Sequence, residues 1–170
     1  MRSIRYLLLC VSICATAQSN SHSQDSTKWK TFYAKQTSFR DRGTKALEAE
    51  YAREKSDSCK NAQSSNAIDE CLEQDLEITE RNYKSYLVAL GGLLQLKAPD
   101  DTEPIQAPNR RKGLVRAELF WSQYREVQCR TSSDQYFGGT IRPSIFLSCK
   151  QELTRKHIHE LESLYKELWN

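Results

Sequence analysis

The chain has 170 residues, of which 25 are basic, 22 are acidic and 38% are hydrophobic. This length fits one domain with a modest hydrophobic core. The formal net charge of +3 is too small to create the strong positive field of a nucleic-acid-binding protein, so the composition excludes nucleic acid as the expected partner.

The beginning of the chain has the pattern of a secretory signal peptide. It starts with the positive charges of Arg2 and Arg5, continues with an apolar run over residues 7–13, and places Ala15 and Ala17 at the two small positions of a cleavage site. The apolar run is too short to cross a bilayer, which takes about 20 residues, and no later segment is apolar enough to do so. We therefore expect cleavage after Ala17 and an exported protein, periplasmic or secreted, without an integral membrane segment.

Removal of the signal peptide, residues 1–17, leaves a nearly neutral chain, because this piece contains two basic residues and no acid. It also removes Cys10 and Cys14 and leaves four cysteines. An even number of cysteines in an oxidising compartment is most economically explained by two disulfides. A four-cysteine zinc site would show close C-x-x-C pairs, which the sequence lacks, so we expect neither a metal nor a cofactor.

The segment before the first periodic helix divides into two parts. Residues 18–28 are rich in Ser, Gln and Asn, which predicts a disordered lead-in. Residues 29–54 are predicted to form an N-terminal helical extension, in which good helix formers follow Gly43 and indicate a short, mostly solvated helix over residues 44–55.

The strongest periodicity belongs to a long second helix. Its mainly apolar side chains recur at steps of three or four residues, as in a core-facing stripe: Ile68, Leu72, Leu76, Thr79, Tyr83, Leu87, Leu90 and Leu94. Asn66 is the expected N-cap, and the helix should end between Leu90 and Lys97. Three prolines between residues 98 and 109 then predict an irregular connection within the same domain.

Two further helices follow. The third has an apolar face made of Leu114, Ala117, Phe120, Trp121, Tyr124 and Val127. It should end near Cys129, because turn formers over residues 130–143 predict a loop. The last helix has one apolar side, made of Phe146, Cys149, Leu153, His157, Leu161, Leu164 and Leu168. Since no segment alternates like a strand, we predict an all-α fold, a small disulfide-stapled bundle of three or four helices.

The sequence carries no pattern typical of catalysis. It has no G-x-S-x-G elbow, no H-E-x-x-H zinc motif and no glycine loop of the kind that binds phosphate. The best remaining candidate is His157 with His159 and Glu160, but side chains two positions apart diverge on a helix, so the two imidazoles do not easily share a metal. We expect a satisfied core histidine at His157, no metal site and no enzyme activity.

The second helix also carries a local negative patch. Asp69, Glu73 and Glu77 share one face beside the apolar stripe, and no Lys or Arg interrupts the stretch from Asn61 to Glu80. A solvated helix face, whose acids favour the N-terminal end of the helix dipole, explains this patch without any partner. The alternative is a docking surface for a basic protein, where complementary charge would mainly raise the association rate.

Three motifs occur in order along most of the mature chain. The first is an opening pair of cysteines about twelve residues apart, Cys59 and Cys71, and the second, Trp121 to Cys129, reads W-x-x-[YF]-R-x-x-x-C. The third reads G-G-[ST] … P … C-x-x-x-L-T, at Gly138-Gly139-Thr140, Pro143, Cys149 and Leu153-Thr154. The ordered set resembles the LprI-like lysozyme inhibitors, a bacterial family of short exported domains, and predicts an LprI-like helical domain over residues 55–170.

The chain departs from the usual family pattern at a few positions within these motifs. Glu118 stands where glutamine is usual, and His157 stands where an arginine commonly follows the L-T pair. Thr79 and Glu80 stand where a Leu-Asn pair often precedes Tyr83.

The resemblance implies a non-enzymatic protein that binds a lysozyme-type muramidase and inhibits it by occupying its cleft. Such a cleft works with two carboxylates, so an aromatic loop that also carries a cation suits it. We therefore predict a partner-binding site at Tyr136, Phe137 and Arg142. Arg125 of the W-x-x-[YF]-R motif either contacts the partner as well or pairs with an acid such as Glu118. The acidic patch on the second helix is a secondary candidate surface.

Two further expectations accompany this interpretation. The disulfides should pair Cys59 with Cys71 and Cys129 with Cys149, because each pair brackets one local helix-cap or loop segment. The alternative function is a non-catalytic adaptor or structural protein of the cell envelope, which would bind another partner through the acidic helix face.

Overall fold

A computed structural model describes residues 11–56, 58–100 and 107–169, with side chains from residue 25 onward except at residues 107 and 108. These residues form four α-helices and a short 3₁₀ turn: α1 (Val11–Glu54), α2 (Ser65–Gln95), α3 (Ala107–Asp134), α4 (Arg142–Leu164) and the turn Lys166–Leu168. The described ranges contain no β-strand, which confirms the predicted all-α bundle.

The four helices run alternately up and down. Arg53 near the end of α1 contacts Asp75 near the start of α2, with 2.8 Å between Nη2 and Oδ1, so these two helices are antiparallel. Ser144 of α4 donates a hydrogen bond to Asp69 of α2, which places the starts of α2 and α4 side by side. A disulfide joins the last part of α3 to the first part of α4, so α3 runs opposite to both of them.

Both predicted disulfides are present, Cys59–Cys71 and Cys129–Cys149. The first ties the loop after α1 to the beginning of α2, and the second ties α3 to α4, so both lie at the same end of the bundle. We call this end, residues 55–71 and 129–149, the stapled end. The opposite end, residues 92–97 and 109–116, is called the open end.

The first helix is much longer than the short solvated helix predicted after Gly43, and that expectation was wrong. Gly43 lies inside α1, where the ring of Trp169 occupies the space that a Cβ would need: the two would be 2.2 Å apart. The glycine therefore permits a close contact with the C-terminal end of the chain instead of starting a helix. The segment after it is not mostly solvated either, because Leu47 and Glu50 are buried.

The beginning of α1 bears on the predicted lead-in. In the uncleaved chain residues 18–28 belong to the helix, since they contain no Gly or Pro that would end it. Cleavage after Ala17 and disorder of the segment that follows stay predictions. Residues 1–10 of the predicted signal peptide lie outside the described part of the chain.

The predicted stripe of α2 faces the core. Leu76, Tyr83 and Leu90 are buried, as are other members of the stripe. The N-cap is Ser64 and not Asn66, because the Ser64 hydroxyl accepts the backbone N–H of Ala67 at 3.2 Å. The helix ends at Gln95, within the predicted interval.

The last two helices differ from the prediction in length and in which side chains they bury. α3 continues to Asp134, beyond the expected end near Cys129. Four of its predicted core residues are exposed: Ala117, Phe120, Tyr124 and Val127. On α4, the predicted core residue Leu164 is exposed, whereas Ile158, which was not predicted to lie in the core, is buried. The helical repeat explains the two errors in burial. When apolar residues cover half the circumference of a helix, only those in the middle of that apolar face reach the core.

The core extends from the middle of the bundle to its open end and receives side chains from all four helices: Ala46, Leu47, Tyr83, Tyr86, Leu90, Leu94, Leu114, Ile158 and Leu161. Each large apolar side chain of this kind contributes about 1.5–3 kcal/mol when it is fully buried. This core and the two disulfides make the bundle a firm support for the loops at its ends.

Candidate partner-binding site

The predicted loop is a short turn between α3 and α4. Gly138 has a φ of 81°, in the left-handed region that favours glycine. Two backbone hydrogen bonds close the turn, from Gly139 N–H to the carbonyl of Tyr136 at 2.9 Å and from Arg142 N–H to the carbonyl of Gly139 at 3.3 Å. The glycine pair of the family motif therefore allows the chain to reverse within a few residues.

The turn presents aromatic side chains to solvent. Phe137 is 83% exposed, the largest value among the exposed large hydrophobic residues, and Tyr136 is 44% exposed. A Phe side chain loses about 1.5–3 kcal/mol of transfer free energy when it stays in water instead of being buried. These two aromatic side chains are therefore free to bury surface against a partner.

Arg142 holds the turn together. Its guanidinium Nη2 lies 2.5 Å from Oδ1 of Asp134, and its Cζ lies 5.3 Å from the centre of the Phe137 ring. The ion pair links the last residue of α3 to the first residue of α4, and the cation–π contact orients the exposed ring. The cation predicted to contact a partner thus already has two partners within the turn.

A disulfide supports the base of the turn. Cys129 is fully buried and is bonded to Cys149, with 5.5 Å between the two Cα atoms. Ser133, one helical turn after Cys129, is also buried. In the entropy model a bridge of this size stabilises the fold by about 3 kcal/mol.

The acidic patch of α2 lies near the same end of the molecule. Asp69 is half-buried and accepts a hydrogen bond from Ser144, two residues after Arg142, whereas Glu73 and Glu77 are exposed. Neither exposed acid has a salt bridge with a described residue. The structure thus brings the aromatic turn and the acidic patch to neighbouring positions, which their separation in sequence does not reveal.

Arg125, the fourth predicted contact, points into the bundle instead. Its side chain is only 13% exposed; Nη2 lies 3.0 Å from Oε1 of Glu80, and Nη1 lies 2.6 Å from the hydroxyl of Thr154. Its Cζ also lies 5.0 Å from the Trp121 ring. The acid that it pairs with is Glu80 and not Glu118. These contacts give the W-x-x-[YF]-R motif a structural role in joining α2, α3 and α4.

His157 is a satisfied core histidine. Its ring stacks on Trp121, with 4.1 Å between centroids, and its two nitrogens lie 3.1 Å from Glu118 and Glu160. Glu118 also accepts a hydrogen bond from Tyr83, and burial together with this bond raises the pKa of the Tyr83 hydroxyl. The described residues contain no cluster of metal-ligating side chains.

A buried acid that the sequence reasoning missed lies in the centre of the bundle. Glu50 is fully buried and is bound by Thr79 at 2.7 Å, Asn82 at 2.8 Å and Arg155 at 2.9 Å. Burial alone would raise the pKa of Glu50, but the hydrogen bonds from Arg155, Asn82 and Thr79 outweigh it and the pKa lies below its ordinary value. With both carboxylate oxygens bound internally, Glu50 joins α1, α2 and α4. The sequence held one signal of its burial: Glu50 comes four residues after Ala46 and therefore lies on the same, core-facing side of α1.

This chain is similar to known proteins over more than half of its length. No helix in the described ranges combines the length and the hydropathy that a bilayer span requires. An uncharacterized protein of Rhizobium meliloti (strain 1021) is 27% identical over 114 residues, which cover 66% of this chain and 81% of that protein. No solved structure gives a significant match. The family described as "Lysozyme inhibitor LprI" matches residues 56–161, more than half of the sequence, and the chain therefore belongs to the LprI family.

Proposed function

We propose that this protein is exported, binds a lysozyme-type muramidase and inhibits it by occupying its cleft. The family supports the activity, and two disulfides are typical of proteins that fold in an oxidising compartment. The observation that carries the choice of site is Phe137, an aromatic side chain left 83% exposed on a turn that is held at both ends.

The chemistry of the turn suits a saccharide cleft. A muramidase cleft binds a chain of sugars and cleaves it with two carboxylates. An inhibitor needs no chemical step, since bulk that fills the cleft is sufficient. Tyr136 and Phe137 supply flat surface with few rotatable bonds, and Gly138 and Gly139 keep the tip of the turn narrow. The aromatic pair would therefore enter the cleft first.

Arg142 contributes to this function by preorganising the turn. Its ion pair with Asp134 and its contact with Phe137 exist before any partner arrives. A turn that is already ordered loses less conformational entropy on binding, and affinity rises accordingly. Its side chain is 41% exposed, and its guanidinium remains within reach of a carboxylate of the partner.

The acidic patch would assist the encounter. Glu73 and Glu77 lie on the same part of the molecule as the turn and are free of ion pairs with described residues. Against a cleft with a basic rim they would raise the association rate, and the effect would fade with added salt.

An inhibition assay with purified, oxidised mature protein and lysozymes of several classes tests the proposal. We expect stoichiometric inhibition. Phe137→Ala should raise the inhibition constant about thirtyfold, the equivalent of about 2 kcal/mol for the loss of an anchor. Phe120→Ala removes the same kind of side chain, which is also exposed, from the side of α3 and is the matched control. Arg142→Ala should weaken inhibition as well, because the ring of Phe137 loses its support.

One result would decide against this function, and another against the choice of site. If the folded protein inhibits no lysozyme at micromolar concentration, the envelope adaptor becomes the better account. If inhibition occurs but Phe137→Ala and Phe120→Ala behave alike, the inhibitory surface lies elsewhere and the acidic patch is the next candidate.

Export has its own test. The intact mass of the protein recovered from outside the cytoplasm should correspond to a chain that begins at Gln18, because Ala15 and Ala17 form the small-x-small site before it. A mass that retains residues 1–17 would contradict the predicted cleavage.

A further inference from the structure

The open end of the bundle has a groove that is separate from the turn carrying Phe137. It runs between the end of α2 and the first half of α3 and has a volume of about 1010 Å³. Val115 and Leu119 line it with aliphatic side chains. These are 61% and 55% exposed, so the groove offers apolar surface to a ligand. Its rim is basic: Lys97, Arg111, Lys112 and Arg116.

The cations of the rim lack acidic partners among the described residues. Arg111 donates to the side-chain oxygen of Gln95, which is neutral, and the Cζ of Arg116 lies 5.8 Å from the Phe120 ring. The acid in the lining, Glu118, is mostly buried and is held by His157. The groove therefore presents positive charge to whatever enters it.

The surrounding sequence does not cancel this charge. Lys97 and residues 110–116 supply five basic side chains, whereas the connection between α2 and α3 contains three acids. The excess is positive even when every acid of the connection is counted. On a chain with a formal net charge of only +3, this end is locally cationic.

The spacing of the lining residues defines the shape of a suitable ligand. Val115 and Leu119 are four residues apart on α3, and so are Lys112 and Arg116. An apolar row and a basic row thus run side by side along the helix axis. A second helix with leucine-like residues four apart and acids beside them would match both rows at once, as in known helix-in-groove complexes.

We propose that this groove binds an acidic amphipathic helix of a partner protein. The apolar face of that helix packs on Val115 and Leu119, and its carboxylates pair with Lys112 and Arg116. Burial of exposed aliphatic side chains supplies affinity, and the charges set orientation and association rate.

The groove is far enough from the turn for both to be occupied together. Leu119 and Asp134 are fifteen residues apart on one helix, which corresponds to about 22 Å. The stapled end can then engage a muramidase while the open end is attached to another protein of the envelope. This second interaction does not depend on the proposed inhibition.

Fluorescence anisotropy with a labelled synthetic peptide tests the groove. The probe is an 18-residue helical peptide with leucines four apart and glutamates on the adjoining face, and a second peptide carries lysine in place of glutamate. We expect the acidic peptide to bind the mature protein more tightly at low salt, and the basic peptide not to bind. Lys112→Glu/Arg116→Glu, and separately Leu119→Asp, should each weaken the acidic peptide at least tenfold.

A control variant makes the same change in net charge at a site outside the groove. Lys60→Glu/Lys84→Glu reverses two exposed cations outside the groove and should leave peptide binding within twofold of the parent protein. If the control weakens binding as much as Lys112→Glu/Arg116→Glu does, only net charge matters and the proposal is wrong. Lysozyme inhibition should be the same in all these variants, which separates this test from the one for the turn.

Two other occupants would also overturn the proposal. The first is a second copy of this chain. If sedimentation of the unliganded protein shows dimers, and Leu119→Asp abolishes them, the groove binds another copy. Vesicles of anionic phospholipid that displace the peptide, and that bind less well to Lys112→Glu/Arg116→Glu, would identify a lipid surface as the ligand.

Discussion

Glu118 and His157 are hydrogen-bonded to each other, with 3.1 Å between Oε1 and Nε2. Both are positions at which the resemblance described above implies a departure from the family pattern. The two departures therefore meet in a single contact between α3 and α4. In this contact the carboxylate of Glu118 faces a ring nitrogen of His157. This pair is part of the packing beneath Trp121.

The first prediction concerns the coupling of this pair. His157→Ala should lower the free energy of unfolding by about 2 kcal/mol, because it removes the stack on Trp121 and leaves the mostly buried Glu118 with one partner fewer. Glu118→Ala should cost a similar amount. The double variant should cost less than the sum by about 1 kcal/mol, since no unpaired partner remains.

Urea unfolding of the three variants measures this coupling. His159→Ala serves as the control, because His159 is two residues away and its side chain is half exposed. It should cost well under 1 kcal/mol. Strictly additive losses in the double variant would show that Glu118 and His157 do not stabilise each other.

The second prediction concerns stability in acid. The pKa values of Glu50 and Asp75 lie below their ordinary values in the folded protein, because bonds from Arg155 to the first and from Ser58, Gln151 and Arg53 to the second outweigh the opposing effect of burial. The unfolded chain thus binds more protons than the folded one as the pH falls through the ordinary range of carboxyl groups. The free energy of unfolding should be constant near pH 7 and decrease below about pH 5.

Glu50→Gln isolates the contribution of the central acid. At pH 7 it should destabilise the protein by about 1.5–3 kcal/mol, the loss expected for charged hydrogen bonds. Its stability should also fall less steeply between pH 5 and pH 3 than that of the parent protein. Glu152→Gln is the matched control, because Glu152 is exposed and pairs only with exposed Lys156. An equal slope in both variants would mean that Glu50 does not dominate the acid response.

The third prediction compares glycines in helices. Gly113 of α3 has no atom within 4 Å of the place where a Cβ would be, so Gly113→Ala should stabilise the protein by about 0.5–1 kcal/mol through helix propensity. A Cβ on Gly92 of α2 would lie 2.4 Å from the ring of Phe39. Gly92→Ala should therefore destabilise the protein by about 1–3 kcal/mol despite the same gain in propensity. Thermal midpoints of the two variants should move in opposite directions.

Much of the architecture could be predicted from the sequence because it depends on local patterns. The stripe of α2 and the spacing of the cysteines indicated a helical bundle with two bridges, and both are present. The burial of the third helix could not be predicted, because half its circumference is apolar and periodicity alone does not show which part faces the core. Tyr124 lies on the exposed part and Trp121 does not.

The candidate site was predictable only in part, for a related reason. Composition indicated an aromatic turn, and Phe137 is indeed exposed. The partners of Arg125 and Arg142 were not predictable, because Glu80 is 45 residues away in sequence from Arg125, and the sequence pattern predicts a loop at Asp134, which instead ends α3. An ion pair between two helices, such as Arg125 with Glu80, depends on how the helices pack against each other. The spacing of apolar residues within one helix does not show this packing.

The fourth prediction separates stability from function by means of the two disulfides. Cys129→Ala/Cys149→Ala and Cys59→Ala/Cys71→Ala each remove one bridge from the stapled end. In the entropy model the two losses are similar, about 3 kcal/mol, because the closed loops differ little in length, with separations of 20 and 12 residues.

Their effects on inhibition should differ, because only the Cys129–Cys149 bridge lies at the base of the turn that carries Phe137. Its removal should raise the inhibition constant at least tenfold at a temperature where urea unfolding shows both variants to be folded, since the turn must then be ordered on binding. Removal of Cys59–Cys71 should change the inhibition constant less than threefold. Equal losses in the two variants would indicate that inhibition follows overall stability, and the turn would no longer be the favoured contact surface.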